Sequence, residues 1–189
     1  MKSVVVFCGS SKGHHLIYSE KARALGEALV KRNIWMVYGA GNVGLMGVIA
    51  DAMLAKEGKV IGVIPHFLRE KEVCHEGLTE LYLVDSMHER KVKMAELSQG
   101  VIVMPGGYGT LDELFEMLTL VQLGQDDQPI GILNVNDFFT PLLKQLDHMQ
   151  EEGFLKSFHR ELIMVSEDEE ELLDMMSQYE PQPIKGKWW

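Results

Sequence analysis

Val101-Ile102-Val103-Met104-Pro105-Gly106-Gly107-Tyr108-Gly109-Thr110-Leu111-Asp112-Glu113 reads as a buried strand, a glycine-rich turn and the opening of a helix. Four continuous apolar residues are the pattern of a parallel strand covered on both faces. The three glycines leave the turn free to curl. The helix predicted to start near Leu111 would offer its unpaired N–H groups and the positive end of its dipole to a phosphate. No Gly-Lys-Ser/Thr follows, so this is not the phosphate loop of a nucleoside triphosphatase.

The same alternation extends in both directions. Apolar runs recur at Ser3 to Cys8, Ile34 to Tyr38, Val60 to Ile64, Leu81 to Val84, Ile130 to Leu133 and Leu162 to Val165. Helical patterns separate them near His15 to Lys31, Leu45 to Lys56, Met87 to Gln99, Leu111 to Leu123, Phe138 to Glu151 and Glu169 to Gln178. This rhythm predicts an α/β, Rossmann-like doubly wound fold: a mostly parallel sheet of about seven strands flanked by helices. A length of 189 residues with 46% hydrophobic residues suits one domain spanning 1–189, and no linker or repeat divides it. Pro65 to Glu80 is the longest irregular stretch, and its charged run Arg69 to Glu72 reads as a solvated loop with room for function. The terminal Trp188-Trp189 is expected either to pack on the body or a neighbour, or to be disordered.

A formal charge of -10 argues against nucleic acid and anionic membrane as partners, so any phosphate ligand must be small and locally held. Two cysteines, Cys8 and Cys74, form no framework and fit a reducing compartment, the cytoplasm. Neither a signal peptide nor a membrane span is expected. The seven histidines form no metal-binding constellation, and no metal is expected.

Two further turns follow strands. Cys8-Gly9-Ser10-Ser11-Lys12-Gly13 would let backbone groups approach an anion, a weak signal by itself. Gly39-Ala40-Gly41-Asn42-Val43-Gly44 contains G-x-G-x-x-G. It follows the second strand, and the next strand ends in Ile64-Pro65-His66 without an acidic residue for a ribose diol, which opposes dinucleotide binding.

Glu113 carries two readings. In the first, Thr110-Leu111-Asp112-Glu113 is a capping box. In the second, Glu113 and Glu116 lie opposite a core stripe of Leu111, Leu114, Phe115, Leu118 and Val121. Met117, Leu120 and Leu123 share the carboxylates' side, so they face a cleft or a subunit contact. Arg90 shares a helical face with Met87, Met94 and Leu97, where an arginine requires an anion. It is either a snorkelling or structurally paired arginine or a guanidinium lining the site. Cys8 reads as a small buried hydrophobe, since no histidine is placed to activate it.

Taken together, Phe7-Cys8-Gly9-Ser10, Val37-Tyr38-Gly39 through Gly44-Leu45-Met46-Gly47, Met87-His88-Glu89-Arg90-Lys91 and Pro105 through Glu113 resemble the cytokinin-activating, LOG-like phosphoribohydrolases over nearly the whole chain. Members of this family have often been mislabelled lysine decarboxylases. The resemblance implies a Rossmann-like homodimer with its active site near the subunit interface. It also implies hydrolysis of the N-glycosidic bond of an N6-modified adenosine 5'-monophosphate, without cofactor. Arg90 and Glu113 would be the catalytic pair, and Gly107, Tyr108, Gly109 and Thr110 would bind the phosphate. Further substrate contacts are implied along the matched motifs at Gly9, Ser10, Gly41, Glu72, Met87, Lys91, Gly106, Leu111, Asp112 and Thr119. Ala40 stands where the family usually has glycine, and Asp112 where glutamate is commoner.

Two other functions remain open: a broad AMP nucleosidase, and a non-catalytic nucleotide or molybdenum-cofactor carrier of the same fold. Retained Arg90 and Glu113 favour an enzyme over a carrier. No lysine has a recognisable context for pyridoxal phosphate.

Overall fold

The computed structural model describes residues 1–69 and 74–181. The strands are Ser3–Phe7 (β1), Trp35–Tyr38 (β2), Val60–Pro65 (β3), Glu80–Val84 (β4), Val101–Val103 (β5), Ile130–Leu133 (β6) and Ile163–Ser166 (β7). They form a seven-stranded sheet in the order β4-β3-β2-β1-β5-β6-β7, with every neighbouring pair parallel. This is the Rossmann-like α/β sheet that the apolar runs predict. Val5 of β1 pairs with Val37 of β2 on one side and Val101 of β5 on the other.

The helices are Leu16–Lys31 (α1), Gly44–Leu54 (α2), His66–Arg69 (α3), Met87–Glu96 (α4), Tyr108–Gln122 (α5), Thr140–Glu151 (α6), Ser157–Arg160 (α7) and Glu169–Ser177 (α8). Side chains alternate across a strand. Val4 and Val6 therefore join Met36, Tyr38, Ile102 and Met104 under α1, α2 and α8, while Val5, Phe7, Val37, Val101 and Val103 pack under α4, α5 and α6. Val4 and Val5 have no exposed surface, and burying each contributes about 1.5–3 kcal/mol. A polar residue at either position would open one of the two layers.

The described residues of the stretch expected to be irregular, 65–69 and 74–80, carry regular contacts. The one-turn helix α3 follows Pro65, Cys74 forms an isolated antiparallel bridge with Gly41, and His75 N–H donates to Ala40 O at 2.9 Å. Glu70 to Glu72 and the Trp188-Trp189 pair lie outside the described residues.

Strands β2 to β4 lie on one side of β1, and β5 to β7 on the other. The connections after β1 and β5 leave for opposite faces, so a crevice opens at their carboxyl ends, where open α/β sheets bind ligands.

Candidate active site

Helix α5 begins three residues earlier than its sequence suggests. Gly107 is the N-cap, extended and without a side-chain cap, and Leu111 N–H donates to Gly107 O at 3.2 Å. The N–H groups of Tyr108, Gly109 and Thr110 consequently have no intrahelical acceptor. A Cβ on Gly107 or Gly109 would meet no heavy atom within 4 Å, so the turn borders open space suited to an anion. Gly106 is different: a Cβ there would strike Thr110 Oγ1 and lie 2.9 Å from Gly9 N. Gly9 N–H donates to Pro105 O at 3.0 Å, which ties the β1 and β5 turns together across the crevice, with Ser10 exposed beside them.

This geometry removes the capping-box reading of Thr110 to Glu113. Thr110 is a buried residue inside the first turn, and Glu113 lies a full turn past the helix start. The start was misjudged because glycine supplies no side-chain signal. A side-chain cap of related form stands at Ser86-Met87-His88-Glu89, where the N-cap Ser86 Oγ accepts from Glu89 N at 3.1 Å while Glu89 Oε2 reaches back past the cap and accepts from Asp85 N at 2.9 Å. It fixes the start of α4, the helix that carries Arg90, and its S-x-x-E spacing was there to be read.

The buried stripe of α5 is Thr110, Leu114, Met117 and Val121. Phe115 is exposed, Leu111 and Leu118 are half-buried, and Met117 faces the core rather than the opposite side. A helix apolar on two sides does not reveal from its wheel which side meets the sheet. The rotation brings Glu113 to the edge of the core.

Arg90 is 8% exposed. Its Nε donates to Val63 O and its Nη2 to Gly39 O, both at 3.1 Å, while Nη1 lies 3.8 Å from Met87 Sδ. Backbone carbonyls near the carboxyl ends of β2 and β3 thus hold the guanidinium where the sequence leads one to expect an anion. Among the described residues no carboxylate forms an ion pair with it, which leaves the guanidinium available to a ligand. Gly39 makes this possible, since a Cβ there would collide with Nη2. Gly41, buried and bridged to Cys74, makes room for Met46, and Gly44 turns at φ 65° against the backbone of Ser10 and Ser11. The glycines of G-x-G-x-x-G are accounted for by packing.

Glu113 is half-buried, with its carboxyl pushed up to about 7. Burial is the largest cause; Arg90 and Lys91 pull it back, while Asp112 and Glu116 push it further. The same charge reaches Cys8, whose thiol is raised chiefly by burial and then by Glu113. Cys8 is therefore a neutral buried neighbour, as its sequence position suggested.

Lys91, next to Arg90 on α4, reaches carboxylates of α5 instead. Its Nζ lies 2.5 Å from Glu116 Oε2 and 3.2 Å from Asp112 Oδ2, and these partners hold it firmly protonated. Lys91, Leu111, Asp112, Phe115, Glu116, Thr119 and Leu120 line an open groove of about 490 Å³. Thr119 donates to Phe115 O at 2.7 Å and stands eleven residues beyond Tyr108, about 16 Å of helix rise from the phosphate turn. The fold thus brings together Gly9, the turn Gly106 to Thr110, Met87, Arg90 and Glu113. Thr119 stays apart, and Glu72 lies outside the described residues.

Comparison with known proteins agrees in family and in fold. A family model described as "Possible lysine decarboxylase" matches residues 46–176. A probable cytokinin riboside 5'-monophosphate phosphoribohydrolase of Oryza sativa subsp. japonica is 45% identical over 97% of this chain and 75% of its own length. A cytokinin riboside 5'-monophosphate phosphoribohydrolase of Arabidopsis thaliana is 44% identical over 97% of this chain and 86% of its own. Among solved structures, the molybdenum cofactor binding protein of Rippkaea orientalis superposes with a TM-score of 0.69 at 18% identity, covering 94% of this chain and 96% of that one. That likeness concerns the fold.

Proposed function

The chain belongs to the family of cytokinin riboside 5'-monophosphate phosphoribohydrolases, and we propose that it hydrolyses the N-glycosidic bond of an N6-modified adenosine 5'-monophosphate, releasing the base and ribose 5-phosphate. The observation that carries this reading is the buried guanidinium of Arg90, with a thioether beside its Nη1, acting on a half-buried carboxyl tuned to about 7. A carrier needs the phosphate turn but has no use for such a carboxyl.

In the proposed reaction the bond from C1' of ribose to the base breaks and its electron pair leaves with the base. Water supplies hydroxide to C1', and its remaining proton goes to the base. Positive charge builds at C1' as the bond lengthens, as in other glycosyl cleavages. Ionised Glu113 stabilises that charge and accepts the proton of the attacking water. Arg90, fixed by Gly39 and Val63, orients the substrate and helps Glu113 ionise. The turn Gly106 to Thr110 holds the 5'-phosphate, with Gly9 and Ser10 across the crevice and Met87 beside Arg90. Lys91, Leu111 and Asp112 line the neighbouring groove with Thr119. Gly41 serves packing, and a contact from Glu72 rests on the family resemblance alone.

Thr119 contributes from a partner subunit in this proposal, which makes the protein a homodimer with its site near the contact. Exposed Met87 and Val92 on α4, Phe115 on α5 and Leu123 at its C-cap support that surface. The functional unit is one hydrolase domain over residues 1–189, working in the cytoplasm, where the Cys8 and Cys74 thiols, not joined in a disulfide, stay reduced. The decarboxylase description finds no support at Lys91, because a Schiff base requires a lysine that gives up its proton and this one is held cationic by two carboxylates.

Incubation with AMP and with N6-isopentenyl-AMP, followed by measurement of free base and ribose 5-phosphate, tests the reading. Release of both products is expected. Saturable binding without release would make the protein a carrier. A higher kcat/KM for the prenylated nucleotide assigns cytokinin activation, and equal values assign a broad nucleosidase.

A further inference from the structure

Glu113 and Glu116 lie one helical turn apart on α5, and both line a small cavity with Phe7, Lys91, Val92 and Met117. Two cations of α4 act on Glu113, and of these Lys91 lines the cavity. Arg90 is tied to backbone carbonyls, and Lys91 is tied to Glu116 and Asp112. Among the described residues no cation lies within ion-pair distance of Glu113. The groups that face it are the Cys8 thiol at the end of β1, Arg90 and Lys91 from α4, and Asp112 and Glu116 from its own helix.

We propose that Glu116 is a positioning residue that captures Lys91 and so keeps its ammonium off Glu113, leaving that carboxylate unpaired for the reaction. The inference rests on the reading of Glu113 as a catalytic group. Lysine is flexible and pairs readily with whichever carboxylate is nearest. Glu116 sits three residues from Glu113, on the same stretch of helix surface, and is therefore its natural competitor. Were Lys91 to turn to Glu113, a carboxylate meant to meet a developing positive charge would already be neutralised.

Glu116→Gln tests this through the titration of Glu113 itself, followed by carboxyl-carbon NMR and by the pH profile of kcat/KM. Release of Lys91 is expected to move the Glu113 titration down by at least about one pH unit, the ordinary effect of a cation within about 4–6 Å. The acid limb of the activity profile should move with it, and the plateau should fall. In the double variant Glu116→Gln, Lys91→Met the titration is expected to return toward its original position. If the double variant titrates as low as the single one, loss of the Glu116 charge explains everything and capture of Lys91 is wrong. If Glu116→Gln leaves the titration in place, the proposal is also overturned. If the titration moves while the acid limb of activity does not, capture stands and the catalytic role of Glu113 fails.

Discussion

Arg90 and Gly39 form one device: Nη2 of Arg90 donates to the Gly39 carbonyl at 3.1 Å, and the missing side chain of Gly39 is the space that the guanidinium fills. Gly39→Ala is therefore expected to displace Arg90 without removing it. A misplacement of about 1 Å in a catalytic group costs on the order of 10²-fold. Steady-state kinetics should show kcat/KM falling by at least that much in Gly39→Ala and further in Arg90→Ala. Wild-type kinetics in Gly39→Ala would refute the arrangement.

The phosphate turn separates binding from folding. Gly107 and Gly109 have free space where a Cβ would go, and neither has a positive φ. Gly109→Ala should raise stability by about 0.5–1 kcal/mol, because alanine is the better residue inside a helix. Both Gly107→Ala and Gly109→Ala should raise KM for the nucleotide at least about tenfold by crowding the anion. Thermal unfolding beside Michaelis kinetics checks the pair, and an unchanged KM in both would remove the phosphate from this turn.

The Glu113 carboxyl is raised from 4.5 to about 7 in the folded protein. Between those values the folded state keeps a proton that the unfolded chain has released, so stability falls as pH rises through this window. Above about pH 7 the loss is complete and amounts to on the order of 3 kcal/mol, at 1.36 kcal/mol per pH unit. Glu113→Gln removes it. Melting temperatures measured from about pH 5 to about pH 8 should show the variant gaining on the wild type as pH rises. Parallel curves would place the carboxyl in an ordinary environment.

Ala40 has φ 64° and is fully buried, a left-handed conformation that glycine adopts without strain. Relief of about 1–2 kcal/mol in Ala40→Gly is partly offset by about 0.4–1 kcal/mol of unfolded-chain entropy, so a small gain in stability is expected. Gly44→Ala should do the reverse. At φ 65° its Cβ would lie 2.5 Å from Ser11 N and 2.6 Å from Gly9 O, and it would disrupt the β1 turn. Chemical denaturation of the two variants checks the contrast, and a destabilised Ala40→Gly would mean that the methyl's packing outweighs its strain.

The strands were the most legible part of this chain, because the central apolar runs lie in a covered parallel sheet where burial and periodicity agree, while the edge strand β4 is largely exposed. Arg90 stood out as a charge on an apolar face, yet its partners were hidden, since backbone carbonyls from β3 and the β2 turn carry no sequence signature. The start of α5 was misread because Gly107 caps it with nothing but backbone. The Lys91 to Glu116 contact joins two helices, and helical spacing reports only neighbours on the same helix.

The most direct test compares wild type with Glu113→Gln at about pH 8, measuring ribose 5-phosphate released from N6-isopentenyl-AMP at saturating substrate. The wild type should release base and sugar phosphate in equal amounts. The variant should bind the nucleotide yet lose at least about 10²-fold in kcat, the lower range for an acid–base group. Full turnover in Glu113→Gln would contradict the account at its centre.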